Sequence, residues 1–147
     1  MIAFLLLAAS EPAKAPGIEE QRFADCVAAV EADAEAAIAT AEQWRLSGGG
    51  LNARLCLGLA YAQAKRWAAA QLAFELAAKE AERNRDGRAS GFWVQAGNAA
   101  LAGGLYRQAR NAFDAALAPA LLKGAEAGEA HLDRARALDR TTVWAWI

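Results

Sequence analysis

This 147-residue chain is short of several things that common folds and activities need. Valine and isoleucine together number only eight, too few to build the core of a sheet, so all-β and doubly wound α/β folds are excluded. There is one histidine, His131, and there are two cysteines, Cys26 and Cys56, with no Cys-x-x-Cys. That set makes neither a zinc site nor a redox pair. Excess charge of one sign is missing too. Lys+Arg number 16 against Asp+Glu 17, a net charge of −1, which removes the positive field on which nucleic-acid binders rely. No long hydrophobic run exists. The nine apolar residues 1–9 would rise about 13 Å as a helix, under half a bilayer core.

What the chain has in abundance is alanine, 42 residues, the strongest helix former. Five tryptophans and a charged fraction of 22% complete a globular balance. Apolar spacing divides residues 18–140 into helices. Phe23, Cys26, Val27 and Val30 share one face of a first helix over residues 19–32, with Asp33 as the break. Ala37, Ala41 and Trp44 line a second, which stops at Ser47 and Gly48-Gly49-Gly50. Further helices are expected over residues 51–64, 67–83, 89–102, 106–118 and 121–140, separated by turns such as Asn84-Arg-Asp-Gly87 and Gly103-Gly104.

Laid on itself, the chain repeats. Residues 55–78 align with residues 94–117 without a gap, at an offset of 39 residues. Gly58 matches Gly97, Trp67 matches Tyr106, and Ala70, Ala73, Phe74 and Ala77 match Ala109, Ala112, Phe113 and Ala116. A glycine in mid-helix costs about 1 kcal/mol against alanine, so each must be offset by close approach of the paired helix, here the helix of Ala70 or Ala109. The excess over a shorter unit is assigned to the Asn84–Gly87 turn.

These residues resemble the tetratricopeptide repeat, a helix–turn–helix unit with a W-x₂-L-G-x₂-Y…A-x₃-F pattern. Leu57-Gly58-x₂-Tyr61 and Ala70-x₃-Phe74 carry the likeness in one unit, Trp93-x₂-Ala96-Gly97 and Ala109-x₃-Phe113 in the next. Arg54 stands where the first unit should have tryptophan, and Ala100 where the second should have tyrosine. The resemblance implies an all-α chain, a short α-solenoid of antiparallel helix pairs. It has two clear repeats, a degenerate N-terminal pair, and a C-terminal capping helix with Ala127, Leu132, Ala135 and Leu138 on its apolar face.

The resemblance also implies a concave groove lined by the first helix of each pair. Position by position, the groove would present Asn52, Leu55, Leu59 and Gln63, then Val94, Asn98 and Leu101, with Gln95 at its edge. The charged and amide residues with which some relatives clamp a carboxylate are replaced by Leu55, Leu59 and Val94. The groove therefore suits a neutral or apolar peptide. The expected function is a non-enzymatic protein–protein interaction module or scaffold, without catalytic residues, metal or cofactor. The alternative is a structural, self-associating piece of a longer helical array. Glu126, Glu129, His131 and Asp133 read as a solvated surface, because His131 shares no helix face with Glu129 or Asp133.

The ends leave more open. Residues 1–17 read as a shortened signal peptide, with Ala8 and Ser10 flanking a cleavage point, or as an apolar-tipped tail. Export to the periplasm is one expectation and a cytoplasmic location the other. Cys26 and Cys56 are either a disulfide in an exported protein or two small buried thiols. Residues 141–147 form an apolar tail with Val143, Trp144, Trp146 and Ile147, a candidate surface for a homodimer. If the tail drives association, deleting residues 141–147 gives a monomer that stays helical. Sedimentation showing a monomer with the tail intact contradicts that reading.

Overall fold

The computed structural model describes residues 17–143, with side chains through residue 138. Among these residues the chain is entirely helical. Seven helices follow one another: α1 (Ile18–Ala32), α2 (Ala34–Leu46), α3 (Gly50–Gln63), α4 (Trp67–Arg83), α5 (Ala89–Ala102), α6 (Tyr106–Leu117) and α7 (Gly124–Val143). Each packs against the next, and α1 and α5 also touch α3 and α7.

Local chemistry sets the boundaries. The Gly17 N–H donates to Glu20 Oε2 at 2.7 Å at the start of α1. Asp33 alone separates α1 from α2, and its carboxylate accepts from the Ala36 N–H at 3.1 Å, the N-cap of α2. The exits from α2 to α5 share one device, a residue at positive φ followed by an N–H that reaches back to a carbonyl five residues earlier. Those residues are Gly48, Lys65, Arg85 and Gly104. The returning bonds run from Gly49 to Trp44, Arg66 to Tyr61, Asp86 to Ala81 and Leu105 to Ala100.

Three overlapping cores run along the chain. Cys26, Val30, Ile38, Trp44 and Leu57 belong to the first, Leu55, Phe74, Ala77 and Trp93 to the second, and Ala100, Phe113, Ala130 and Ala137 to the third. Phe23, Leu59 and Tyr61 pack on both the first and the second, and Val94 on both the second and the third, so the packing runs on from unit to unit as in a stacked array. Cys26 and Cys56 are joined as a disulfide that ties α1 to α3 across a Cα–Cα distance of 6.2 Å. The thiols are therefore a cross-link and not plain packing.

The two mid-helix glycines explain the repeat. A Cβ at Gly58 would lie 2.6 Å from the Phe74 ring, and one at Gly97 would lie 2.6 Å from the Phe113 ring. The partner is thus the phenylalanine, one turn beyond the expected Ala70 and Ala109. Phe74 and Phe113 are buried, at 2% and 0% exposure. Gly49 is equally constrained, because a Cβ there would come within 2.4 Å of the Trp44 indole. It is no neutral linker position.

The structure corrects four further expectations. The extra length of the 39-residue step lies largely in α4, which has 17 residues against 12 in α6. The last helix begins at Gly124 and not at residue 121, because Ala120 and Gly124 both take positive φ and hold residues 118–123 as an irregular linker. It also extends to Val143, so residues 141–143 of the expected tail are helical, while residues 144–147 lie outside the described residues. The buried face of α7 carries Ala130 and Ala137, whereas Leu132 is 61% exposed and Ala135 is also exposed. Those alanines let α7 approach α6 closely, and Arg134 pairs with Asp114 across that contact.

Gly58→Ala or Gly97→Ala should cost about 1–3 kcal/mol through overpacking against a buried ring. Gly128→Ala, on open helix surface, should be neutral or gain up to about 1 kcal/mol. Denaturant unfolding compares them. Equal effects would contradict the packing role. Reducing the disulfide, which spans 30 residues, should cost about 3–4 kcal/mol in the chain-entropy account, read from melts with and without reductant.

Candidate functional site

α3 and α5, unlike α1 and α3, share little close backbone contact. Between them opens a cleft of about 490 Å³, within the range of small-ligand and peptide pockets. Its walls are mainly apolar. Phe23 comes from α1, Leu55 and Leu59 from α3, Phe92 from α5, and Leu121 and Leu122 from the linker, with Phe74 at the floor. Its polar groups are Arg88, Ser90, Gln95 and Glu126.

Helical spacing puts these side chains together. Leu55 and Leu59 are four apart on α3, while Arg88, Phe92 and Gln95 follow at intervals of four and three along α5. Arg88 lies over the Phe92 ring at 5.6 Å from its centroid. The same guanidinium grips the Asp86 carboxylate, with Nε at 3.0 Å and Nη2 at 2.6 Å. The Arg88 N–H adds a bond of 3.0 Å to Asp86 Oδ1. The Arg88 side chain first, and its backbone N–H second, hold the Asp86 carboxyl at about 2 against an ordinary 3.8. The same pair raises Arg88 further. Asp86 thereby fixes the turn that leads into α5.

Of the groove residues expected from the sequence, Leu55, Leu59 and Gln95 line the cleft. The other five do not. Val94 packs between the second and third cores, and Leu101 packs on the third. Asn98 and Gln63 are exposed and Asn52 is half-buried, all outside the cleft walls. Along α5, Phe92 and Gln95 line the cleft, while Val94, Asn98 and Leu101 do not. Phe23, Arg88, Ser90, Phe92, Leu121 and Leu122 line the cleft without being among the expected groove residues. The Arg88–Phe92–Gln95 spacing was visible in the sequence, but no local signal brings the linker leucines to the mouth of the cleft.

Trp93 points elsewhere, donating its Nε1–H to Glu82 Oε1 at 2.6 Å. Arg54, at the matching position of the first unit, pairs with Glu80 at 2.8 Å. Among the described residues no group of three or more His, Cys, Asp or Glu is placed to hold a metal ion. No helix there is long and apolar enough to cross a membrane. Comparisons with protein-family models, curated proteins and solved structures gave no match.

The depressed Asp86 carboxyl makes a pH prediction. Because its folded value lies below the unfolded one, its stabilisation is complete above about pH 4 and disappears as pH falls toward about 2. Urea midpoints across that window should fall less steeply for Asp86→Asn than for the native chain. Parallel profiles would show that the turn does not depend on this carboxylate.

Proposed function

We propose that this chain is a non-enzymatic, tetratricopeptide-like interaction module that holds an apolar peptide segment of a protein partner. The observation that carries the reading is the cleft between α3 and α5, whose walls of Phe23, Leu55, Leu59 and Phe92 stay open to solvent on one side. Apolar concavity with a few polar groups is the usual composition of a binding site. The arrangement of α1, α3, α5 and α7 along the cleft is what the tetratricopeptide resemblance implies for a groove of first helices. No residue is assigned a catalytic role.

The Cys26–Cys56 disulfide supports an oxidising, exported setting such as the periplasm, since cytosolic thiols are kept reduced. That setting agrees with reading residues 1–17 as a signal segment. The half-buried apolar walls give affinity to an apolar segment and little to a charged one.

Gly91 supplies a clean test. It lines the cleft, and a Cβ there meets nothing within 4 Å. Gly91→Trp should therefore fill the cleft while leaving the melting temperature equal or higher, because glycine is the poorer helix former. Partner capture by the full chain should be lost with Gly91→Trp and kept with Leu72→Ser, on the exposed face of α4. Equal capture by all three chains would contradict a role for the cleft.

A further inference from the structure

The first turn of α5 holds an unmet hydrogen-bonding demand. Ser90 is 2% exposed, and its Oγ has no hydrogen-bond partner among the described residues. Buried hydroxyls are as a rule paired, since an unpaired one forfeits its hydration without return. The N–H groups of Arg88 and Ala89 donate to Asp86, at 3.0 and 3.1 Å. Those of Ser90 and Gly91 follow in the turn where a helix offers no acceptor, and the N-cap residue Arg88 supplies no side-chain cap.

Ser90 also sits where two clefts adjoin. The second, of about 740 Å³, lies between the end of α4, the start of α5 and residues 115–121, and it shares Gly87, Ser90 and Leu121 with the first. A chain laid along both would pass the Ser90 hydroxyl.

Charge decides which acceptor belongs there. A helix N-terminus favours an anion, but here the Asp86 carboxylate already holds that place. Glu126 stands in the first cleft and Glu82 in the second, with only Arg85 and Arg88 as counter-charges. A further carboxylate would face three of its kind. A neutral oxygen meets no such repulsion.

We infer that the cleft reads its peptide through one backbone carbonyl, which accepts a hydrogen bond from the Ser90 hydroxyl while a neighbouring uncharged apolar side chain lies among Leu59, Phe92 and Leu122. This rests on the peptide-binding reading above and names the contact that orients the peptide. The hydroxyl is shut off from bulk water in the free chain. The carbonyl reaches it as the side chain of Leu121, 54% exposed and shared by both clefts, moves aside, while Leu122 stays packed on the second and third cores. Binding replaces an unpaired hydroxyl by a paired one, so Ser90 serves recognition at a cost to the free protein.

The test uses acetylated, amidated octapeptides whose four central positions are drawn from alanine, valine, leucine, isoleucine and phenylalanine. They are titrated into the full isotope-labelled chain and followed by amide resonances of α3, α5 and residues 118–123. Ser90→Ala should weaken the tightest peptide about 3- to 10-fold, the worth of one neutral hydrogen bond, and should keep or raise the melting temperature. Ser90→Cys, close in size with a weaker donor, should fall between. Unchanged affinity with Ser90→Ala overturns the carbonyl contact and leaves the peptide groove standing. A lowered melting temperature with Ser90→Ala also overturns it, by showing that the hydroxyl is already satisfied. Tighter binding of the same peptides with a central aspartate, or of dodecanoate, overturns the neutral acceptor. If no octapeptide, neutral or charged, shifts a cleft resonance, the peptide-binding reading itself fails.

Discussion

The ring of Phe74 rests in the space left by the missing side chain of Gly58, and the ring of Phe113 does the same at Gly97. Each contact closes one helix pair, α3 on α4 or α5 on α6. Each glycine weakens its own helix by about 1 kcal/mol, and full burial of a phenylalanine returns about 2–3 kcal/mol. The balance favours the pair over the isolated helix. With backbones this close, small residues must fill the remaining interface, and Ala70, Ala77, Ala109 and Ala116 are all fully buried. The abundance of alanine is thus a consequence of the close crossing as well as of helix propensity.

The two pairs are joined through the long α4. Gly58 and Gly97 are 39 residues apart, and the long α4 carries the chain an extra turn before α5 can begin. α3 and α5 share little close backbone contact, and Leu55, Leu59 and Phe92 line the opening between them. At the other end the disulfide draws α1 onto α3, which presents Phe23 to the same opening. The linker before α7 supplies Leu121 and Leu122 to its mouth. The cleft thus lies where two pairs of nearly identical internal packing meet, lined from α1, α3, α5 and the linker before α7.

Much of this was readable from residues alone. Helix period, the glycine stops and the self-alignment located the helices, and the bounds of α4 and α5 agree with the expected ones. The close approach at Gly58 and Gly97 was legible as well, though its partner was placed one turn too early, because sequence gives the facing helix before it gives the facing atom. The groove was less legible. Leu55, Leu59 and Gln95 line the cleft, but Asn52, Gln63, Val94, Asn98 and Leu101 do not, since helical period gives the spacing of a face but not which face meets the neighbouring helix. The disulfide stayed undecided for the same reason: Cys26 and Cys56 become neighbours only once α1 lies on α3. The face of α7 was misread at Leu132, where the close contact with α6 admits alanine and excludes leucine.

The most direct measurement of the central contact is a double-mutant cycle between positions 58 and 74. Gly58→Ala, Phe74→Leu and the double variant are unfolded in urea under identical conditions. If the ring occupies the space above Gly58, the smaller leucine relieves the crowding caused by alanine. The double variant is then more stable than the sum of the single losses predicts, by about 1 kcal/mol or more. Strict additivity would mean that Gly58 and Phe74 do not touch in solution, and would contradict this account of how the helix pairs close.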